Sequence, residues 1–419
     1  MGPRWYLVLS SKTRRVFWTQ FSGFGVDALN VQLYPFVLPA LLTLWGLSHA
    51  QAGLLGAATL ASSAVGGWIA GLLADRFGRV RVLKVTIVWL AISTGLCAFA
   101  GNFHQLLIAR LFQGVGFGGE WAVGAVFIAE VAPSEIRGRM VGMAQSAWAV
   151  GWGSAAITSA IALSLLSPDL GWRVTFAAGF LPAILVFVFR IGLKDSDVFL
   201  KSSRQSPWHA IFSRPTLSST IRGSLLATGA HGGYWAIATW WPAILQSERG
   251  YSATASGVYF AAVIVGSFFG YLCGSWLSDS VGRRVTLAGF ALGGIFVVLA
   301  CTEFQLSEML LLSLSFPLGF FALGMYSVVG PVLTELYPTD LRGSGVGFCF
   351  NFGRGIGGAT PLLIGLSVKA FGISQATGLY VACAYGLVLL ATALLPETRS
   401  RVLKSLAETG ENASRKLPG

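Results

Sequence analysis

The chain has 419 residues, of which 54% are hydrophobic and 11% charged, with a mean hydropathy of +0.69 and a formal net charge of +12. This composition excludes a disordered or an ordinary soluble protein, and the length leaves room for several bilayer crossings. The basic residues come in small clusters between apolar runs, which indicates membrane-flanking loops and excludes nucleic acid as the partner.

In chain order, Arg4, Lys12, Arg14 and Arg15 precede a long apolar segment with no small-residue cleavage site, so this start reads as a leader into a first helix. Met1-Gly2 is followed by Tyr6 where a myristoylation motif needs Ser or Thr. A helix spans a hydrocarbon core with ~20 apolar residues. Runs of that length cover about 17–44, 51–73, 82–100, 104–130, 139–166 and 172–192, then 220–246, 252–277, 285–302, 307–334, 343–370 and 375–396. The expectation is an all-α membrane protein of twelve transmembrane helices. It divides into an N-terminal six-helix half (1–192), a linker (193–219) that carries Arg204, a C-terminal half (220–396) and a tail (397–419).

Twelve spans put both termini on one face. That face collects 24 of the 29 Lys and Arg residues; Arg173, Arg249 and Lys369 fall on the other, and Arg110 and Arg354 lie inside spans. The asymmetry predicts cytoplasmic termini and a cytoplasmic linker in a plasma membrane, the inner membrane in a bacterium. The cysteines Cys97, Cys273, Cys301, Cys349 and Cys383 stand singly in apolar segments, so neither a metal site nor any other cofactor is expected.

Two turns recur. Asp75, Gly78 and Arg79 return as Asp279, Gly282 and Arg283 at an offset of 204 residues, and Glu130-x-x-Pro133-x-x-x-Arg137-Gly138 returns as Glu335-x-x-Pro338-x-x-x-Arg342-Gly343 at 205. The chain is built twice over. With Arg110-Leu111-Phe112-Gln113-Gly114, these turns resemble the signatures of the major facilitator superfamily, which implies two six-helix halves around a midplane site. Within it, Gly118-Gly119-Glu120-Trp121, Arg354-Gly355 with Pro361, and Pro396-Glu397-Thr398 resemble the proton-coupled symporters of aromatic acids, sialate and related metabolites. Aromatic-acid permeases often carry Asp-Gly-x-Asp in span 1; here Phe24 replaces the first acid and Asp27 remains. By this resemblance Asp75, Arg76, Arg79, Glu130 and Arg137, with Asp279, Arg283, Glu335 and Arg342, form a cytoplasmic gate that latches the halves.

Ionisable residues within spans are functional candidates, because burying charge in hydrocarbon is costly. Gln20, Gly23, Asp27, Asn30 and Tyr34 share one helix face, with Gly23 leaving open space a turn from the Asp27 carboxylate. Arg110, Gln113, Phe117 and Glu120 share a face of span 4. Asp27 and Glu120 are the candidates for proton coupling, tuned by Arg110; a fixed pair of Arg110 with either acid is the structural alternative. Arg354 offers a planar fork to a substrate carboxylate, beside Asn351. His231, Tyr234, Trp235 and Trp148, with Asn30, Gln113 and Tyr34, complete the expected binding set.

The function expected is secondary active transport, with a small organic anion taken up together with protons by a carrier acting as a monomer in the bilayer. Export of organic acids or drugs, or uptake of a neutral sugar-like solute, are the alternatives. Enzymatic and ATP-driven activity are not expected, since no nucleotide-binding Gly-Lys-Ser/Thr loop or catalytic triad is present.

Overall fold

The computed structural model describes residues 4–399 apart from 8, 48, 202–207 and 252; Arg204 and the tail beyond 399 lie outside the described residues. Among the described residues there is no strand. The first half contains α1 (Ser11–Trp45), α2 (His49–Phe77), α3 (Arg79–Ala98) and α4 (Phe103–Val131). Spans five and six are each interrupted, as α5 (Arg137–Gln145) with α6 (Ala147–Leu165) and α7 (Pro168–Ala178) with α8 (Phe180–Phe189). The second half repeats this plan with α9 (Arg214–Ala243), α10 (Ala253–Ser280), α11 (Arg283–Glu303), α12 (Glu308–Ala322) with α13 (Tyr326–Leu336), α14 (Arg342–Gly357) with α15 (Thr360–Phe371), and α16 (Ile373–Leu394).

Nine spans are long and apolar enough to cross a membrane among the described residues. The remaining three of the twelve are α1, α9 and the α14–α15 pair. Each is helical, and each carries polar cargo that lowers its hydropathy: Asp27 on α1, His231 on α9, Arg354 on α14. The break between α14 and α15 falls where Gly357 and Gly358 precede Pro361, whose missing N–H cannot continue the helical ladder.

Two structural details concern the linker. α9 begins at Arg214, earlier than the expected 220, with Pro215 in the first helical turn where its fixed φ is an advantage. The linker is also structured, with a short helix at Asp197–Lys201 and a 3₁₀ turn at Trp208–Phe212.

The halves approach closely at the end that carries the repeated turns. A Cβ on Gly347 of α14 would lie 3.0 Å from the carbonyl oxygen of Gly67 in α2, and one on Gly142 of α5 would lie 2.6 Å from Cβ of Ser275 in α10. Small residues at both crossings let backbones meet where larger side chains would hold them apart.

Candidate functional site

The repeated turns build a charged cluster where the two halves meet. Gly78 and Gly282 precede α3 and α11 with φ of 95° and 110°, a backbone conformation costly for residues with a Cβ. Each turn aims its aspartate at the other half. Asp75 accepts hydrogen bonds from the N–H of Gly343 (3.0 Å) and from the N–H and hydroxyl of Ser344 (2.6 Å each), capping α14. Asp279 does the same for α5, accepting from the N–H of Gly138 (3.0 Å) and Arg139 (2.7 Å). Both carboxylates therefore sit at the positive end of a helix dipole.

Arginines then exchange partners across the interface. Glu130 takes Arg79 of its own half at 2.9 Å and Arg342 of the other at 3.1 Å. Glu335 takes Arg283 at 2.9 Å and, from the other half, Arg137 at 3.3 Å. Arg76 is exposed and lies over the Phe77 ring, outside this cluster.

The sequence reading missed a second layer of this cluster. Asp195 accepts from the N–H of Val80 (2.9 Å), Ser196 donates to Glu130 (2.5 Å), and the Phe199 ring lies 4.3 Å beneath the Arg79 guanidinium. In the second half Glu397 accepts from the N–H groups of Arg283 (3.0 Å) and Arg284 (3.2 Å), and Thr398 donates to Glu335 (2.6 Å). Partial burial works to raise the Glu397 carboxyl, yet these backbone donors outweigh it and hold the group below its ordinary value. A signal existed: Asp195-Ser196 and Glu397-Thr398 stand in equivalent places after their six-helix halves.

Inside the first half, Glu120 is fully buried and is gripped by Arg190, not by Arg110. Arg190 donates to both Glu120 oxygens, one bond at 2.9 Å, and also to the Leu83 carbonyl (2.6 Å) and Gln20 (3.0 Å); Thr86 adds a bond to Glu120 at 3.1 Å. Arg190, which the loop tally assigned to the termini-bearing face, is 1% exposed. The space expected beside Gly23 is filled by this pair, since a Cβ there would meet both Arg190 and Glu120. Arg110 donates to Gln113 (2.6 Å) and lies 4.5 Å over the Tyr34 ring, with no carboxylate in ion-pair range among the described residues. Gln113 continues to Thr94 (2.8 Å), and Asn30 donates to the Val26 carbonyl (2.8 Å). These groups form a polar seam within the first half.

Asp27 differs from Glu120. It is fully buried, neither of its oxygens has a hydrogen-bond partner, and the charges acting on it are those of Glu120, Arg354 and Arg190.

Between the halves lies a cavity of about 30 Å³. The expected Trp148, His231, Tyr234, Trp235 and Arg354 line it, together with Phe117, Trp121, Gln145, Tyr271, Tyr326 and Phe350. Arg354 is sandwiched, its guanidinium 4.4 Å from the Phe117 ring and 4.9 Å from Phe350, and it donates to Ser63 at 3.2 Å. Trp121 of the first half stacks on Phe350 of the second, centroids 3.4 Å apart, and donates to Gln145. Trp148 donates across to the Tyr234 hydroxyl at 3.3 Å, and the His231 Nδ1 is bonded to the Ala227 carbonyl at 2.9 Å. Asn351, Asn30, Gln113 and Tyr34 are not among the lining residues. Asn351 packs instead against Gly67 of α2 and donates to the Gly347 carbonyl (2.9 Å).

Comparison with known proteins fits this architecture. The chain is 37% identical to the probable 4-methylmuconolactone transporter of Cupriavidus pinatubonensis, covering 96% of this chain and 95% of that protein. It is 30% identical to the niacin transporter NiaP of Acinetobacter baylyi over 93% and 95% of the two chains. The fold matches the solved proton:xylose symporter XylE bound to 6-bromo-6-deoxy-D-glucose, with a TM-score of 0.80 at 19% identity over 95% of this chain and 99% of that one. The family model of the Major Facilitator Superfamily matches residues 21–360 and 224–417. This match along nearly the whole length, with the repeated turns that join the halves, makes the chain a member of the Major Facilitator Superfamily of membrane transporters.

Proposed function

We propose that this transporter takes up a small organic anion together with protons, by alternating access between its two halves, with the gate end in the cytoplasm. The observation that carries the reading is Arg354, a buried guanidinium held between two aromatic rings in the central cavity, with no carboxylate at ion-pair distance among the described residues. Arginine keeps its charge, and a planar fork in a water-poor cavity is suited to a carboxylate. The names of the relatives, a 4-methylmuconolactone transporter and a niacin transporter, support a substrate of this kind.

In this reading Asp27 carries the proton. Its buried carboxyl lacks donors, so a bound proton removes a charge that its surroundings leave poorly compensated. Glu120, closed by Arg190 and Thr86, shapes the field around Asp27 without exchanging protons itself. Substrate and proton bind from outside while the gate is latched. The halves then rock, the arginine pairs of the gate part, and release follows into a less acidic cytoplasm. Residues 1–192 and 220–396 act as the moving units, tied by the linker at 193–219.

The test uses proteoliposomes and a panel of aromatic acids, sialate, dicarboxylates and sugars. Asp27→Asn is expected to lose uptake driven by a pH jump while keeping substrate counterflow. Proton-driven uptake at the unmodified rate in this variant removes Asp27 from the coupling step.

A further inference from the structure

The same cavity carries information about which anion it takes, and this inference rests on the anion-transport reading above. Arg354 is the one permanently charged side chain among the lining residues. Two further groups around it are polar and unsatisfied. The Tyr326 hydroxyl and the Trp235 Nε1 are buried with no hydrogen-bond partner, and both residues line the cavity. Tyr326 is 6% exposed, so water from outside does not compensate it in this state. The indole N–H can only donate, and the guanidinium can only donate. The other two indole donors of the wall are occupied: Trp121 bonds Gln145, and Trp148 bonds Tyr234.

Leaving buried donors unpaired is costly, so a site that keeps them is waiting for an acceptor. The rest of the wall is aromatic, including Phe117, Phe350 and Tyr271. We infer that the substrate is a planar, ring-sized monocarboxylate with a second, uncharged hydrogen-bond acceptor such as a ring carbonyl, ring oxygen or ring nitrogen. The carboxylate meets Arg354 and the neutral acceptor meets Tyr326 and Trp235. A second carboxylate has no further cation to face among the lining residues, so dicarboxylates are disfavoured. A polyhydroxylated sugar brings many donors to a wall that is itself mostly rings and donors. A 30 Å³ cavity has room for water but not for such a ring, so binding requires the walls to part as the outer side opens.

The experiment measures calorimetric binding and ligand-induced thermal stabilisation of the purified full chain in detergent. The probes are benzoate, the 2-, 3- and 4-carboxylates of pyridine, pyridine-3-carboxamide and benzene-1,3-dicarboxylate. At least one pyridine carboxylate is expected to bind about tenfold more tightly than benzoate, the gain of one added hydrogen bond. That gain disappears in Tyr326→Phe or Trp235→Phe, while benzoate binding is retained. The dicarboxylate binds at least about a hundredfold more weakly than the best monocarboxylate, the scale of leaving one buried charge unpaired.

A dicarboxylate that binds as tightly as the monocarboxylates overturns the single-charge assignment, and so does binding of the neutral amide at equal strength. Equal affinity of benzoate and all pyridine carboxylates overturns the second acceptor. Absence of binding by every probe overturns the substrate class as a whole. None of these outcomes reverses proton-driven uptake of another anion, which the Asp27→Asn experiment reads separately.

Discussion

Two buried carboxylates in the first half show how far the surroundings of a residue decide its role. Asp27 and Glu120 are both fully buried. Glu120 has its oxygens filled by Arg190 and Thr86, whereas Asp27 has no donor on either oxygen. A buried pair contributes little net stability, yet removing one partner strands the other charge. Arg190→Ala is therefore expected to destabilise the protein by about 3–5 kcal/mol, read as a lower thermal midpoint in detergent. Replacing both partners together, Arg190→Met with Glu120→Leu, recovers most of that loss. A double variant no more stable than Arg190→Ala shows that the pair has a further role. From the sequence, Arg190 looked like a loop charge at the end of span 6, because nothing in its own helix reveals a partner 70 residues away. Arg354 was legible for the opposite reason: an arginine midway along an apolar run stands out without any partner.

At the scale of elements, the repeated turns are helix caps that reach across the interface. Asp75 satisfies backbone donors at the start of α14, and Asp279 satisfies those at the start of α5. These bonds join the two halves. Asp75→Asn keeps an acceptor but loses the charge that favours a helix N-terminus. The expected cost to the closed gate is about 1–2 kcal/mol, a shift of roughly 5–30-fold toward states with the gate open. Uptake slows, and substrate affinity measured on the purified protein changes little. Loss of binding in this variant would falsify the separation of gate from cavity. Both turns were legible because they repeat at a fixed offset. The linker contribution was not, since Ser196 and Phe199 look like ordinary polar-segment residues until they meet Glu130 and Arg79.

At the scale of the whole molecule, the cross-interface ion pairs gather at the gate end, where glycines bring α2 against α14. A Cβ on Gly71 would lie 3.1 Å from the carbonyl carbon of Gly343 and 3.3 Å from Cα of Gly347, so a larger side chain there holds the halves apart. Gly71→Leu is expected to abolish uptake while preserving binding at the cavity, reached from the gate side. Substrate binding in inside-out membranes compared with right-side-out membranes checks this. Binding from the outer side alone in the variant contradicts the assignment of α2 and α14 to gate closure.

The sequence by itself determined the class of the molecule: twelve spans from run length, two halves from the offsets, and a polar interior from ionisable residues inside the spans. It also marked Asp27, His231 and Arg354, because polar groups in hydrocarbon-length runs are conspicuous one helix at a time. Tertiary structure decided everything that depends on two helices meeting. It sent Glu120 to Arg190, left Asp27 open, moved Asn351 out of the cavity to the α2–α14 contact, and brought in Gln145, Tyr271 and Tyr326. Helical periodicity shows which face a residue occupies. What that face meets is set by how glycine-lined helices pack, and that information is spread over residues hundreds of positions apart.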